Sequence, residues 1–269
     1  MNEFLPVHHA LVNWASKMPD REFLLQPVDG EIRCFTWKES ADISRRIASA
    51  LGSMGLKPGD KVAILAKNSA EWVLTDIAIA MAGMISVPIY PTASVETISY
   101  ILAHSEASAV FIGKLDEPDV VANAIPADLC SIAFPYPTVP CRYEWNSLID
   151  KYPPIEVLPE PDPDDAMTIL YTSGSTGKPK GVVLSYRAYT YGSMAARDAG
   201  DVNTEDHLFS YLPLAHVTER TVTAGPAIYA GTRCSFVESL MTFQHDLKRA
   251  SPTIFISVPR LWVKFQAGV

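Results

Sequence analysis

No stretch of this 269-residue chain is apolar enough for long enough to cross a bilayer as a helix. The longest uncharged apolar run, Ile77 to Tyr90, is interrupted by Gly83 and Pro88. It falls short of the about 20 residues a span needs, so a buried helix running into a strand is expected instead. The amino terminus, Met1 to Pro6, lacks the basic start and apolar run of a secretory signal. Cysteine is sparse: Cys34, Cys130, Cys141 and Cys234 lie far apart, with no Cys-x-x-Cys spacing and no nearby histidine cluster. Reduced thiols in a cytoplasmic protein are the expectation. Basic residues are outnumbered, 22 Lys and Arg against 30 Asp and Glu, for a formal net charge of -8. That balance argues against a general nucleic-acid-binding surface, so any anion must be bound by local design. Disorder is excluded from the other side, by 48% hydrophobic and only 19% charged residues.

What is present is a loop that concentrates phosphate-binding chemistry. Tyr171-Thr172-Ser173-Gly174-Ser175-Thr176-Gly177-Lys178-Pro179-Lys180-Gly181 packs hydroxyls, glycines and two lysines between apolar strands ending at Tyr171 and resuming at Val182. Glycines let the backbone approach phosphate oxygens closely, hydroxyls and N–H groups donate to them, and lysines offset their charge. A flexible Gly/Ser linker would not carry the Lys-Pro-Lys-Gly ending between two apolar strands. Nor is this the phosphate loop of the common nucleoside triphosphatases, which needs glycine where Thr172 stands and Ser or Thr where Pro179 stands.

Strand-length apolar runs alternate with helical patterns along the chain. Strands are expected at Glu22 to Val28, Glu31 to Phe35, Lys61 to Ala66, Ile85 to Ile89, Ala109 to Ile112 and Leu129 to Ala133. A helix opens with the capping box Thr36 and Glu39, carries Ile43, Ile47, Ala50, Leu51 and Met54 on one stripe, and stops at Gly55. Further helices are expected over Ala70 to Gly83 and Val95 to His104. Prolines then recur from Pro135 to Pro163, giving an extended connection with one short helix near Trp145 to Asp150. Alternation resumes with strands at Met167 to Tyr171, Val182 to Ser185, His207 to Tyr211, Arg233 to Phe236 and Thr253 to Ser257. The fold class is therefore α/β, with mostly parallel sheets covered by helices. Subdomains 1–134 and 164–269, joined by the connection 135–163, are the expected division.

The phosphate-loop string resembles the signature of the adenylate-forming superfamily, which contains acyl-CoA synthetases, luciferases and the adenylation domains of peptide synthetases. Gly55 to Ala63 and Pro88-Ile89-Tyr90-Pro91-Thr92 are similar to early blocks of acyl-CoA synthetases. Leu212-Pro213-Leu214-Ala215-His216-Val217-Thr218-Glu219-Arg220 and Ser257-Val258-Pro259-Arg260-Leu261-Trp262 resemble the long-chain fatty acid branch. The resemblance implies a two-step ligation in which a fatty acid carboxylate attacks the α-phosphate of ATP and coenzyme A then displaces AMP. It implies nucleotide contacts from Thr172, Ser173, Gly174, Ser175, Thr176, Gly177, Lys178 and Lys180. Thr176 would meet Mg2+ carried by the phosphates, and His216 would line the site where the carboxylate meets the α-phosphate.

His216 follows a strand and a proline, where open α/β sheets present side chains to ligands. Taken alone it would read as a structural histidine, as His8, His9, His104, His207 and His245 do. Glu219 and Arg220 suggest an ion pair at the start of the following helix. The family's Tyr-Gly-x-Thr-Glu block, its ribose-holding aspartate and the lysine of its small carboxyl-terminal domain are not found in this chain. The expectation is a partial adenylation domain over 1–269, inactive alone. Two alternatives stand beside it: an adenylation portion for another carboxylate, and a non-catalytic nucleotide- or acyl-binding module. Fatty acids partition into bilayers, so peripheral membrane contact is compatible with the reading, although no lipidation motif or basic amphipathic helix supports it. Oligomeric state leaves no signal in the sequence.

Overall fold

The computed structural model describes residues 4–172 and 178–268. Ser173, Gly174, Ser175, Thr176 and Gly177 of the phosphate loop lie outside the described residues. The chain begins with helix α1 (Val7–Lys17), strands β1 (Glu22–Val28) and β2 (Glu31–Thr36), and helix α2 (Trp37–Ser53). Strands β3 (Lys61–Ala66), β4 (Ile85–Ile89) and β5 (Ala107–Gly113) alternate with helices α3 (Ala70–Met81) and α4 (Val95–His104). Helix α5 (Pro118–Ala122), strands β6 (Cys130–Ala133) and β7 (Tyr143–Glu144) and helix α6 (Trp145–Lys151) lead to the proline-rich stretch. Beyond it come β8 (Ala166–Thr172), β9 (Lys180–Ser185), α7 (Tyr186–Ala199) and β10 (His207–Ser210). A short α8 (Val217–Glu219) runs through a π-helical turn, Arg220–Ala224, into α9 (Gly225–Ala230). Strand β11 (Arg233–Phe236) and helices α10 (Phe243–Ala250) and α11 (Pro259–Gly268) complete the order.

Two sheets form. One has the order β10-β11-β1-β2, the other β7-β6-β5-β3-β4-β8-β9. Every pairing is parallel except the hairpins β1–β2 and β8–β9. Local chemistry explains the helices. Thr36 and Glu39 close the capping box of α2 in both directions, and Ser69 caps α3 by accepting from the Trp72 N–H. Helix α3 is buried on every residue, because it packs on α1 and α2 and also meets β1 of one sheet and β3 and β4 of the other. Its carboxylates and its threonine are partnered: Glu71 with Arg33 and Tyr136, Thr75 with the Trp145 indole, Asp76 with Arg220. No helix among the described residues is long and apolar enough to cross a membrane.

Two expectations differ from the structure, and one helix went unread. The strand pairing does not follow the division into 1–134 and 164–269: β1 and β2 sit with β10 and β11, and β8 and β9 extend the sheet of β3 to β7. Thr253 to Ser257 is not a strand; it makes one parallel bridge, Leu208 to Ile254. Its neighbour β10 leaves the sheet at Tyr211, so the residues after Ile254 have no ladder to join. Helix α1 was unanticipated, although Val7, Ala10, Leu11 and Trp14 have the i, i+3, i+4, i+7 spacing of a buried face. Pro6 and the paired His8 and His9 obscure that pattern; both imidazoles meet the Pro159 carbonyl.

Candidate functional site

The carboxyl ends of β4, β8 and β10 converge on a cleft of about 630 Å³. Tyr90 and Thr92 enter it after β4, Leu170, Tyr171 and Thr172 from the end of β8, Pro179 just before β9, and Ala215, His216 and Val217 after β10. Helix α4 closes one side with Thr97 and Ile101. This is where a parallel sheet exposes its loops, and the volume suits a small-molecule ligand. A larger cleft of about 810 Å³ lies between α1, α2 and Pro153 to Glu156, but it holds no residue of the phosphate loop or of the His216 motif.

Both stems of the phosphate loop are fixed. Thr172 stands opposite Lys180 in the β8–β9 hairpin, so the ends of the loop are held side by side. The Tyr171 hydroxyl meets His104 Nδ1 at 2.8 Å, and Lys178 Nζ lies 5.7 Å from the Tyr100 ring centroid. Tyr100 and His104 are one turn apart on α4, which therefore touches the loop on both sides. Lys178 and Lys180 are exposed. The other candidates, Ser173, Gly174, Ser175, Thr176 and Gly177, fall outside the described residues.

His216 is exposed at the amino end of α8, where its Nδ1 accepts from the Thr218 N–H at 3.1 Å. An accepting Nδ1 assigns the ring proton to Nε2, which has no hydrogen-bond partner among the described residues. Among the described residues the cleft lining contains hydroxyls but no carboxylate. Among the described residues no group of three or more His, Cys, Asp or Glu side chains is placed to hold a metal. Such a hard-oxygen lining fits Mg2+ that arrives on nucleotide phosphates rather than in a protein cage.

Glu219 and Arg220 do not pair with each other, because adjacent helical residues point in different directions. Arg220 Nη2 reaches both oxygens of Asp76 at 2.8 and 2.7 Å, its Nη1 donates to Thr168 Oγ1 at 2.8 Å, and the rings of Trp72 and Tyr189 flank it. Glu219 turns the other way and accepts from the Tyr211 N–H at 3.1 Å and from Thr223 Oγ1 at 3.2 Å. Burial pushes its carboxyl up to about 7. Sequence reasoning passed over Asp76, Asn68 and Lys114, which anchor the segments around the cleft. Their one visible signal is position: Asn68 and Lys114 each follow a buried parallel strand at its carboxyl end.

A mostly parallel α/β fold with this cleft at its strand ends is the fold of the adenylate-forming proteins. The structure superimposes on o-succinylbenzoate coenzyme A synthetase of Bacillus subtilis, solved with ATP and magnesium, with a TM-score of 0.77 at 21% identity, covering 98% of this chain and 52% of that one. The adenylation domain of a carboxylate reductase from Mycobacterium chelonae gives 0.81 at 20% identity over 97% of this chain and 47% of that one. The chain belongs to the AMP-binding enzyme family, whose model matches residues 11–268. Fatty acyl-CoA synthetase A of Dictyostelium discoideum is 31% identical over 90% of this chain and 38% of its own length. Long chain acyl-CoA synthetase 2 of Arabidopsis thaliana is 30% identical over 94% of this chain and 42% of its own. The chain thus spans about two fifths of the length of these curated relatives.

Proposed function

We propose that this chain carries the phosphate-loop and acid-site portion of an ATP-dependent ligase that activates a fatty acid carboxylate to an acyl-adenylate and then to acyl-CoA. The observation that carries the reading is the shared cleft, which receives His216 from one strand end and Thr172 and Pro179, the stems of the phosphate loop, from another. In this reading the carboxylate oxygen attacks the α-phosphorus and the bond to the bridging oxygen breaks, so pyrophosphate leaves with the charge. Ser173, Ser175 and Thr176 donate hydrogen bonds to it, Gly174 and Gly177 allow close backbone approach, and Lys178 and Lys180 offset charge on the leaving oxygens. Mg2+ bound with ATP would neutralise part of the phosphate charge, with Thr176 as its protein contact. Nε2 of His216 donates to the carboxylate or the α-phosphate. Coenzyme A, the acceptor of the acyl group, has no assigned contact among the described residues.

The similarity to fatty acyl-CoA synthetases favours a fatty acid over another carboxylate. A second reading is a nucleotide- or acyl-binding module without turnover. The test is Mg-ATP and pyrophosphate binding by the 269-residue chain, run with fatty-acid-dependent ATP–pyrophosphate exchange. Binding that weakens about tenfold in Lys180→Ala, with no exchange, is the expected result. Acid-dependent exchange would show that adenylation survives in this portion. No binding of either phosphate ligand would overturn the reading.

A further inference from the structure

The segment that delivers His216 to the cleft is held by side chains rather than by the sheet. After β10 ends at Ser210, Asn68 reaches across from the end of β3. Its Nδ2 donates to Ser210 Oγ at 2.9 Å and to the Leu212 carbonyl, and its Oδ1 accepts from the Leu214 N–H at 2.9 Å. One planar carboxamide, 5% exposed, thus satisfies a donor and two acceptors on the same short segment. The chain then closes a turn from the His216 N–H to the Pro213 carbonyl at 2.8 Å. Asn68 is itself braced. Lys114 Nζ, after β5, donates to the Asn68 carbonyl at 2.6 Å and to the Val237 carbonyl, after β11, at 2.8 Å. Strand ends from both sheets are thereby tied to one point beneath the His216 segment.

We infer that Asn68, braced by Lys114, is a positioning residue that fixes Leu212 to Leu214 and so sets the place of the His216 imidazole in the cleft. Its meaning for acid binding rests on the function proposed above; the clamp itself rests on the geometry alone. No single smaller side chain replaces it. Aspartate keeps the acceptor for Leu214 but loses both donations, and alanine loses all three bonds.

The test uses the 269-residue chain with labelled histidine, the His216 ring signal being assigned by its disappearance in His216→Gln. In Asn68→Ala and Asn68→Asp the His216 signal should shift or broaden. Trp145→Phe, which breaks an unrelated buried hydrogen bond to Thr75, should lower thermal stability and leave that signal in place. Palmitate affinity should fall about tenfold in the Asn68 variants while pyrophosphate affinity holds. A His216 signal unmoved in a folded Asn68 variant overturns the inference. So does failure of both variants to fold, which would make Asn68 a structural residue only. Absence of palmitate binding in the unaltered chain would sink the acid-site reading, and the His216 signal would still decide the clamp.

Discussion

Asp76 and Arg220 are charges taken almost wholly out of water, with side-chain exposures of 7% and 2%. Each is tolerated because the other is present, together with the hydroxyl of Thr168. Removing one partner strands the other, so Asp76→Asn should cost about 3 to 5 kcal/mol in denaturant unfolding. Replacing both by apolar residues of similar volume should cost less than either single change. A fully additive double variant would show that the pair is not coupled. Glu219 makes a pH prediction with the opposite sense to the buried histidines. Its folded value of about 7 lies above the ordinary 4.5, so the folded state holds the proton more tightly. Its contribution is complete below pH 4.5 and is lost as pH rises through 7. His8 and His207 are pushed down to about 4 by burial, so their contribution is present above pH 6.5 and is lost as pH falls toward 4. Glu219→Gln keeps an acceptor for the Tyr211 N–H and cannot ionise. It should therefore be more stable than the unaltered chain at pH 8, by at most about 3 kcal/mol, and equal to it at about pH 4. Melting temperatures across that range decide it; parallel curves for the two proteins would refute the assignment.

At the scale of elements, the joint between α1 and α9 is exacting. Gly231 ends α9 in the left-handed region, φ +72°, and a Cβ there would lie 2.6 Å from the Trp14 ring of α1. Gly231→Ala should therefore cost about 2 to 4 kcal/mol, combining backbone strain with overpacking. Adding Trp14→Ala should recover part of that loss, since it removes the clash and leaves the strain. A Trp14→Ala, Gly231→Ala double variant that loses the full sum of the two single costs would refute the contact. Elements were legible where chemistry is local. The capping box at Thr36 and Glu39 located α2, and period-two or continuous apolar runs located β1, β3, β4 and β11 to the residue. Thr253 to Ser257 has the composition of a strand, yet a strand also needs a neighbour, and whether β10 continues far enough to provide one is not written in the segment itself. The site divides the same way. The phosphate loop and His216 stand out as residue types in a pattern, whereas Asn68 acts through a hydroxyl and two backbone groups 142 to 146 positions away. A single asparagine after a strand gives no hint of such distant partners.

The molecule as a whole is woven from strands remote in sequence, and that feature was the least legible. Parallel strands read as similar apolar runs, so periodicity says that a strand is buried without saying beside which other strand it lies. The proline-rich stretch resembles a boundary because its composition changes there. In the structure, β1 crosses to pair with β11 and β4 crosses to pair with β8, so the strands before that stretch are completed by strands after it. Helix α3, buried between the sheets, takes its Asp76 partner from the same later half. If this weave is right, cutting at Pro153 cannot release two folded units. Fragment 1–153 would keep β3 to β7 but expose the face and edge that β8 and β11 cover, and its Asp76 would be buried without a cation or else hydrated at the expense of α3 packing. Fragment 154–269 would hold two strand pairs belonging to different sheets with no α3 to pack on. Each fragment alone should lack near-ultraviolet circular dichroism and a cooperative denaturant transition, and mixing equimolar amounts should restore both signals in part. A sharp transition in isolated 1–153, at the midpoint of the intact chain, would instead mean that the first half is a domain in its own right and that the cross-sheet pairs add little to its stability.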